Sequence, residues 1–233
     1  MGVLALVCAM PMELRPMTKR LGLEKATIGG VDVRSGSLGE RAVDAIATGM
    51  GTALAMQSTE RLLGAVAPDH VLVFGITGAV DDETPIGAVL HPELVVHSEL
   101  GTEHRPVHLG GVIPHGTMWT TNVITRADEL PALRARGVIC LDMETAAIAA
   151  CCERRAIPWS VHRAVSDRAT DGSVDDEVFH LSHQDGTPDP RAIARYFLRH
   201  PQRIPGMAKM AKGAKLATER AADAAITAAR TLG

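Results

Sequence analysis

Three runs in this chain, residues 3–9, 71–76 and 138–141, are apolar at every position instead of at every second one. A strand with one wet face alternates polar and apolar residues, so a strand without alternation is covered on both sides. Between these runs stand segments with apolar residues at helical spacing, most clearly 52–65. Buried strands separated by helices build a parallel or largely parallel sheet with helices on both faces. The expected fold is therefore an α/β three-layer sandwich. Residues 31–37 and 41–47, two short strands around a Gly39-Glu40 turn, read as a hairpin, so the expected central sheet is mixed.

Other segments fill in this frame. Pro11 opens a helix over 13–21 and Gly22 stops it. Residues 88–97 read as one strand, 111–125 alternate between turn and strand signals, and 128–136 make a short helix. A helix over 143–155 and a last buried strand over 158–165 follow. After Ser173 the character changes: 174–189 are polar, contain Gly186 and Pro188, and read as a lid loop. Asp189-Pro190 caps a helix to about Arg199, which Pro201 ends. From Ile204 the chain is Ala-rich, with Met207, Met210, Ala214, Ala217, Ala221 and Ala225 in a stripe that docks on the core. The 233 residues read as one domain, in which 174–233 supply the lid loop and docked helices.

Composition excludes several function classes. With 46% hydrophobic residues and a net charge of −3, disorder is not the default and no global basic excess calls for nucleic acid. Arg191, Arg195, Arg199, Arg203, Lys209, Lys212 and Lys215 cluster without matching acids. That allows weak association with a membrane surface, although a solvated helix face is the plainer reading. The apolar start has no basic residue before it, is too short to span a bilayer, and runs into Pro11-Met-Glu13. It reads as a first strand instead of a signal peptide, and the expected location is cytoplasmic without stable membrane insertion. Cys8, Cys140, Cys151 and Cys152 lack metal-ligand spacing and read as reduced, buried thiols. There is no phosphate-loop signature, no His-Glu-x-x-His and no G-x-S-x-G, and His180 with His183 makes no metal site. No metal and no organic cofactor are expected.

The candidate chemistry lies in carboxylates. Asp167 follows a buried strand and stands at the mouth of a sheet, while Met143-Glu144 opens the preceding helix and Glu13 the first one. Such a set suits a site that holds a sugar and protonates its leaving group. Cleaving a nucleoside's glycosidic bond requires an acid at the purine, stabilisation of a ribosyl cation, and a nucleophile on the opposite face. Carboxylates in different environments divide these tasks, because burial and neighbours push their pKa values apart. Each residue has a plainer alternative. Asp167 can cap the next segment, Glu144 and Glu13 can be first-turn charges, and Met143 and Trp119 can be core. Arg163 can pair with a nearby carboxylate or bind an anion, and Gly49-Met-Gly51 can be a tight turn or a ligand-facing one.

The order of these motifs resembles the purine nucleoside phosphorylase and nucleosidase superfamily, and in particular the bacterial methylthioadenosine/S-adenosylhomocysteine nucleosidases. Cys8-Ala-Met-Pro-Met-Glu-Leu14, Ala47-Thr-Gly-Met-Gly-Thr-Ala-Leu-Ala55 and Phe74-Gly-Ile-Thr-Gly-Ala79 are similar to that family's segments, as are Asp142-Met-Glu-Thr-Ala-Ala147 and Val165-Ser-Asp167. The similarity covers about residues 3–170. It implies a phosphorylase/hydrolase-like fold, with Asp167 serving the purine N7 and Glu144 and Met143 holding the ribose. It further implies that Glu13 positions the attacking water and that Trp119, in His115-Gly-Thr-Met-Trp119, supplies an aromatic beside the adenine.

Ile76 and Ala79 depart from the family pattern, and Thr77 is the candidate for the missing hydroxyl. The tail, with Asp185-Gly-Thr-Pro-Asp-Pro190 and Arg199-His-Pro201, looks more like the adenosylhopane phosphorylase-like branch. The expected activity is hydrolysis of a 5′-substituted adenosine. One alternative is phosphorolysis, with lipid-linked adenosines among the substrates and inorganic phosphate held as co-substrate by the Gly49–Gly51 turn, Thr77 and an arginine. Another is a catalytically silent nucleoside-binding protein. A homo-oligomer is expected in either case.

Overall fold

The computed structural model describes residues 2–169, 177, 181–183 and 185–232. The first strand, β1 (Val3–Cys8), leads into α1 (Pro11–Leu21), and three antiparallel strands follow: β2 (Glu24–Ile28), β3 (Val31–Leu38) and β4 (Arg41–Ala47). Helix α2 (Thr52–Val66) returns the chain to β5 (His70–Ala79). Short strands β6 (Val89–Leu90), β7 (Leu94–His97), β8 (Glu103–His104) and β9 (Thr117–Thr120) come next, then α3 (Leu130–Ala135), β10 (Val138–Asp142), α4 (Thr145–Arg154) and β11 (Trp159–Arg168). The chain closes with α5 (Pro190–Arg199) and the long α6 (Ile204–Ala229).

Among the described residues the strands join one mixed sheet in the order β2-β3-β4-β1-β5-β10-β9-β7-β8, with β11 on β5 and β6 on β11. β1 is parallel to β4 and β5, and β5 to β11, whereas β5 meets β10 antiparallel. The unalternated runs are covered on both faces, as their patterning requires. Ala5, Val7, Val71, Val73, Val161 and Val165 pack with Leu62 and Leu63 of α2 and Ile148 and Cys152 of α4. Leu4, Leu6, Leu72 and Phe74, their alternate neighbours, pack with Met17 of α1 and Ala222, Ala225 and Ala229 of α6. The Ala stripe lets α6 lie close to the sheet, and Ala217 and Ala221 rest on Ala164 of β11. All four cysteines are free and buried.

Several expectations are corrected. β2 was not read from the sequence; its alternate Ala26 and Ile28 are half-buried against the core, and it pairs with β3 at the sheet edge. The predicted strand 88–97 is two strands with different partners, β11 for β6 and β9 for β7, because His91-Pro92 breaks the ladder between them. The 143–155 helix begins later, at Thr145, where Asp142 accepts the Thr145 N–H at 2.8 Å. Residues 174–176, 178–180 and 184 of the predicted lid loop, His180 included, lie outside the described residues. Its described end is tied back by a Ser182–Pro188 bridge and by Asp189 N–H donating to the Leu181 carbonyl at 2.8 Å.

Candidate active site

Ligands of α/β sheets bind beyond the carboxyl ends of the strands, and there β1, β5, β10 and β11 bring their polar residues together. Glu13 stands in the first turn of α1 and is only 1% exposed. Its Oε2 accepts the N–H groups of Ala9 at 2.9 Å and Met10 at 2.8 Å, and its Oε1 accepts the Ile76 N–H at 2.7 Å. Burial raises its pKa above the ordinary carboxylate value, although Arg163 and the three backbone donors oppose this. Gly75 makes the approach possible. A Cβ there would lie 2.4 Å from Glu13 Oε1 and 2.7 Å from Arg163 Nη1, and its φ of +148° disfavours a side chain as well.

Arg163 is the hub of the cluster, on β11 and also 1% exposed. Its Nη2 donates to Asp142 Oδ2 at 2.7 Å and to Thr145 Oγ1 at 2.9 Å, and its Nη1 donates to the Ile76 carbonyl at 3.2 Å. Glu144 Oε2 is 3.6 Å and Glu13 Oε1 is 3.8 Å from the guanidinium. A buried cation in three carboxylates' reach stays charged, and its pKa is raised by them against desolvation. Asp142 is the anchor: Thr120 Oγ1 donates to it at 2.6 Å, and the Thr145 hydroxyl and N–H donate to its other oxygen.

Glu144 precedes α4 and is buried. Its Oε1 accepts the Gly51 N–H at 2.9 Å, which fastens it to the Gly49–Gly51 turn between β4 and α2. Gly49 and Gly51 have φ of +89° and +88°, values that only glycine adopts freely. Burial first, and the Asp142 charge second, push the Glu144 pKa up to about 8.

Asp167 follows a bulge. The β11–β5 register runs Val165↔Thr77 and then Asp167↔Gly78, leaving Ser166 as the extra residue. A bulge re-aims the chain, here at the sheet's end, and Asp167 emerges half-buried with the Ser166 hydroxyl donating to it. The docked helix braces this point. A Cβ on Gly213 of α6 would stand 2.4 Å from the Ser166 carbonyl oxygen, so only glycine permits the contact.

The structure thus brings Glu13, Glu144, Arg163 and Gly51 into one buried cluster. Met143, half-buried, lies in the turn between Asp142 and Glu144. Two residues are placed otherwise. Thr77 is buried and donates its hydroxyl to the Leu141 carbonyl at 2.7 Å. Trp119 alternates on β9 with Thr120, so the two side chains take opposite faces of the sheet. Thr120 faces Asp142, whereas Trp119 packs beside Val80, Leu130, Leu133 and Val138 with the Arg136 guanidinium 4.4 Å above its ring. Trp119 is thus half-buried on the face of β9 opposite the carboxylates. Sequence reasoning missed Asp142, Thr145, Thr120 and Gly75. The available signal was Arg163 itself, since an arginine in a buried strand requires a buried acceptor.

Among the described residues no group of three or more His, Cys, Asp or Glu is arranged to hold a metal ion. Comparison with known proteins agrees with this architecture. Two curated 5′-methylthioadenosine/S-adenosylhomocysteine nucleosidases are each 25% identical to the chain. That of Shewanella piezotolerans aligns over 181 residues, 64% of this chain and 79% of its own. That of Shewanella sediminis aligns over 178 residues, 63% and 77%. Among solved structures, the S. pneumoniae nucleosidase with a transition-state inhibitor superposes with a TM-score of 0.74 at 17% identity, covering 99% of this chain and 100% of that one. Futalosine hydrolase of Helicobacter pylori gives 0.73 at 14% identity, covering 98% and 97%. At such identities the structures share the fold. The phosphorylase superfamily model, however, matches residues 3–110 and 104–199, which include the whole carboxylate–arginine cluster, and the chain belongs to that superfamily.

Proposed function

We propose that the protein hydrolyses the N-glycosidic bond of a purine nucleoside, with a 5′-substituted adenosine of the methylthioadenosine or S-adenosylhomocysteine type as substrate. One observation carries the choice of water over phosphate: the glycine N–H groups, the Thr77 hydroxyl and the Arg163 guanidinium expected to hold phosphate are already engaged, with the Gly49 N–H given to the Ala9 carbonyl. The Gly51 N–H is given to Glu144, the Thr77 hydroxyl to Leu141, and the Arg163 guanidinium to Asp142 and Thr145. The cluster contains three carboxylates for one arginine, so it offers a dianion no net positive charge.

In this reading Asp167 protonates the purine N7 as the C1′–N9 bond breaks and its electron pair passes to the base. Glu144 accepts the ribose hydroxyls, with Met143 beside the sugar. Glu13, fixed by three backbone donors, accepts a proton from the water whose oxygen bonds to C1′. The products are free adenine and the 5′-substituted ribose, and the step requires no metal or organic cofactor. We further read residues 1–233 as one catalytic unit, cytoplasmic and homodimeric. The superfamily membership supports this, together with the apolar side chains exposed at Leu100, Ile113 and Val123. Light scattering of the purified protein tests the dimer.

The deciding experiment follows adenine release from methylthioadenosine, S-adenosylhomocysteine and adenosine, with and without inorganic phosphate, and identifies the sugar product. Free sugar formed at equal rates in both conditions is the expected result. A phosphorylated sugar and an absolute need for phosphate would assign the phosphorylase chemistry instead. Tight adenosine binding with no release over hours would leave a binding protein.

A further inference from the structure

The charge of this chain is divided unevenly. Residues 190–215 hold seven of its 24 lysines and arginines and none of its 27 acidic residues, so the rest carries 17 basic groups against 27 acidic ones. The structure turns this segment into one outward surface. Arg191, Arg195 and Arg199, spaced four apart on α5, share its exposed face, and Lys209, Lys212 and Lys215 are exposed on the first half of α6. Arg195, Arg199, Lys209, Lys212 and Lys215 make no ion pair among the described residues. Two acids among the described residues border this surface: Glu177, whose Oε2 is 3.3 Å from His200 at the end of α5, and Asp189, whose carboxylate caps the start of α5.

The apolar side of α5 is already used. Tyr196, Ile193 and Phe197 pack with Leu181 and with Met207 and Met210 of α6, so the helix is fastened with its arginines outward. Two large apolar side chains nevertheless face water among the cations. Leu198 is 85% exposed and Ile204, beyond Pro201, is 48% exposed. Exposed apolar side chains set among unpaired cations are the combination that an interfacial, membrane-surface helix presents.

We propose that the α5–α6 surface docks on an anionic lipid bilayer. The cations meet the lipid phosphates, and Leu198 and Ile204 enter the interfacial layer. No helix of the described chain is long and apolar enough to cross a membrane, so the association is peripheral. A single-stranded nucleic acid fits this surface less well. Its bases need exposed aromatic rings, and Tyr196 and Phe197 are turned inward.

The test uses the full chain and vesicles of phosphatidylcholine alone or with about 30% phosphatidylglycerol, followed by co-sedimentation. Binding at least about tenfold tighter to the anionic vesicles, weakened by raising salt from about 0.1 to about 0.5 M, is expected. Arg195→Glu with Arg199→Glu reverses two charges and lowers that binding more than about tenfold. Leu198→Asp weakens it several-fold on its own. These side chains are exposed, and an unchanged melting temperature identifies folded variants. The proposal is overturned by equal binding to neutral vesicles, by no binding to either kind, or by folded variants that bind like the native chain. Tighter binding of single-stranded DNA than of anionic vesicles at the same salt overturns it too.

Discussion

Replacing Glu144 by Gln keeps the side chain's shape, and the amide oxygen still accepts the Gly51 N–H that Glu144 holds at 2.9 Å. Only the charge is lost. In the proposed complex that charge meets two ribose hydroxyls, and a hydrogen bond to a charged acceptor exceeds a neutral one by about 1 kcal/mol or somewhat more. Two such bonds make a loss of about 2–3 kcal/mol, or roughly 30- to 150-fold in kcat/KM, once the carboxylate is ionised. The unliganded protein, however, holds Glu144 at a pKa of about 8. At pH 7 about a tenth of the molecules have the carboxylate ready, and at pH 9 about nine-tenths do. Native kcat/KM should therefore rise about tenfold over that interval while the Gln variant stays flat, so the deficit of the variant grows with pH.

The assay is adenine release from methylthioadenosine at low substrate, at half-unit pH steps from 6.5 to about 9.5, for both proteins. A ratio of native to variant that stays constant across this range would refute the assignment of Glu144 as the ionised ribose acceptor. The same raised pKa bears on stability. A carboxyl that binds its proton more tightly when folded stabilises the protein fully below its ordinary value of 4.5, and this contribution is lost as pH rises through about 8. Glu13, also raised, acts in the same direction. The unliganded native protein should melt at falling temperature as pH climbs from about 5 to 8, and Glu144→Gln should make that decline shallower.

Asp167→Asn should lower turnover by about 10²–10⁴-fold with nucleoside affinity largely kept, since an amide can hydrogen-bond to N7 but cannot supply a proton; near-native turnover removes Asp167 from the acid role. Glu13→Ala should reduce kcat far more than it raises KM, and a reversed pattern in steady-state kinetics would make Glu13 a binding residue. Gly75→Ala places a methyl group 2.4 Å from Glu13 Oε1, so both activity and melting temperature should fall together, and native behaviour of this variant would contradict the close approach. Arg163→Met leaves Asp142 buried without its cation, which costs about 3–5 kcal/mol; a denaturant midpoint equal to the native one would show that the pair is not structural.

Much of this architecture was legible in one dimension because it is periodic. The unalternated strands around Val71–Val73 and Leu4–Leu6 announced covered faces, and the helix over Thr52–Val66 announced itself by spacing. β2 escaped because Glu24–Ile28 is a short edge strand whose alternation rests on only two apolar residues, Ala26 and Ile28. The strand expected over 88–97 was split by pairing partners that lie far away in sequence, on β11 and β9. The face that Trp119 takes was hidden for a related reason. A scarce aromatic attracts a functional reading, but a strand's two-residue alternation decides its face, and that depends on which neighbour reaches Asp142.

The cluster itself shows why a motif can be read while its chemistry cannot. Glu13 stands more than a hundred residues from Glu144 and Arg163 in the sequence, and none of the three is perturbed by its own sequence neighbours alone. Glu144 is held near 8 because Asp142, tied down by Thr120, Thr145 and Arg163, keeps a second negative charge beside it in a dry site. Removing the Asp142 charge relieves that repulsion, but it also frees the Arg163 guanidinium that Asp142 now engages. Asp142→Asn should therefore lower the pH at which native kcat/KM rises and, with a guanidinium released toward the sugar, introduce some stimulation by phosphate. Adenine-release profiles with and without phosphate measure both effects at once. An unchanged pH midpoint in a folded Asn variant would mean that burial alone, without Asp142, sets the Glu144 proton.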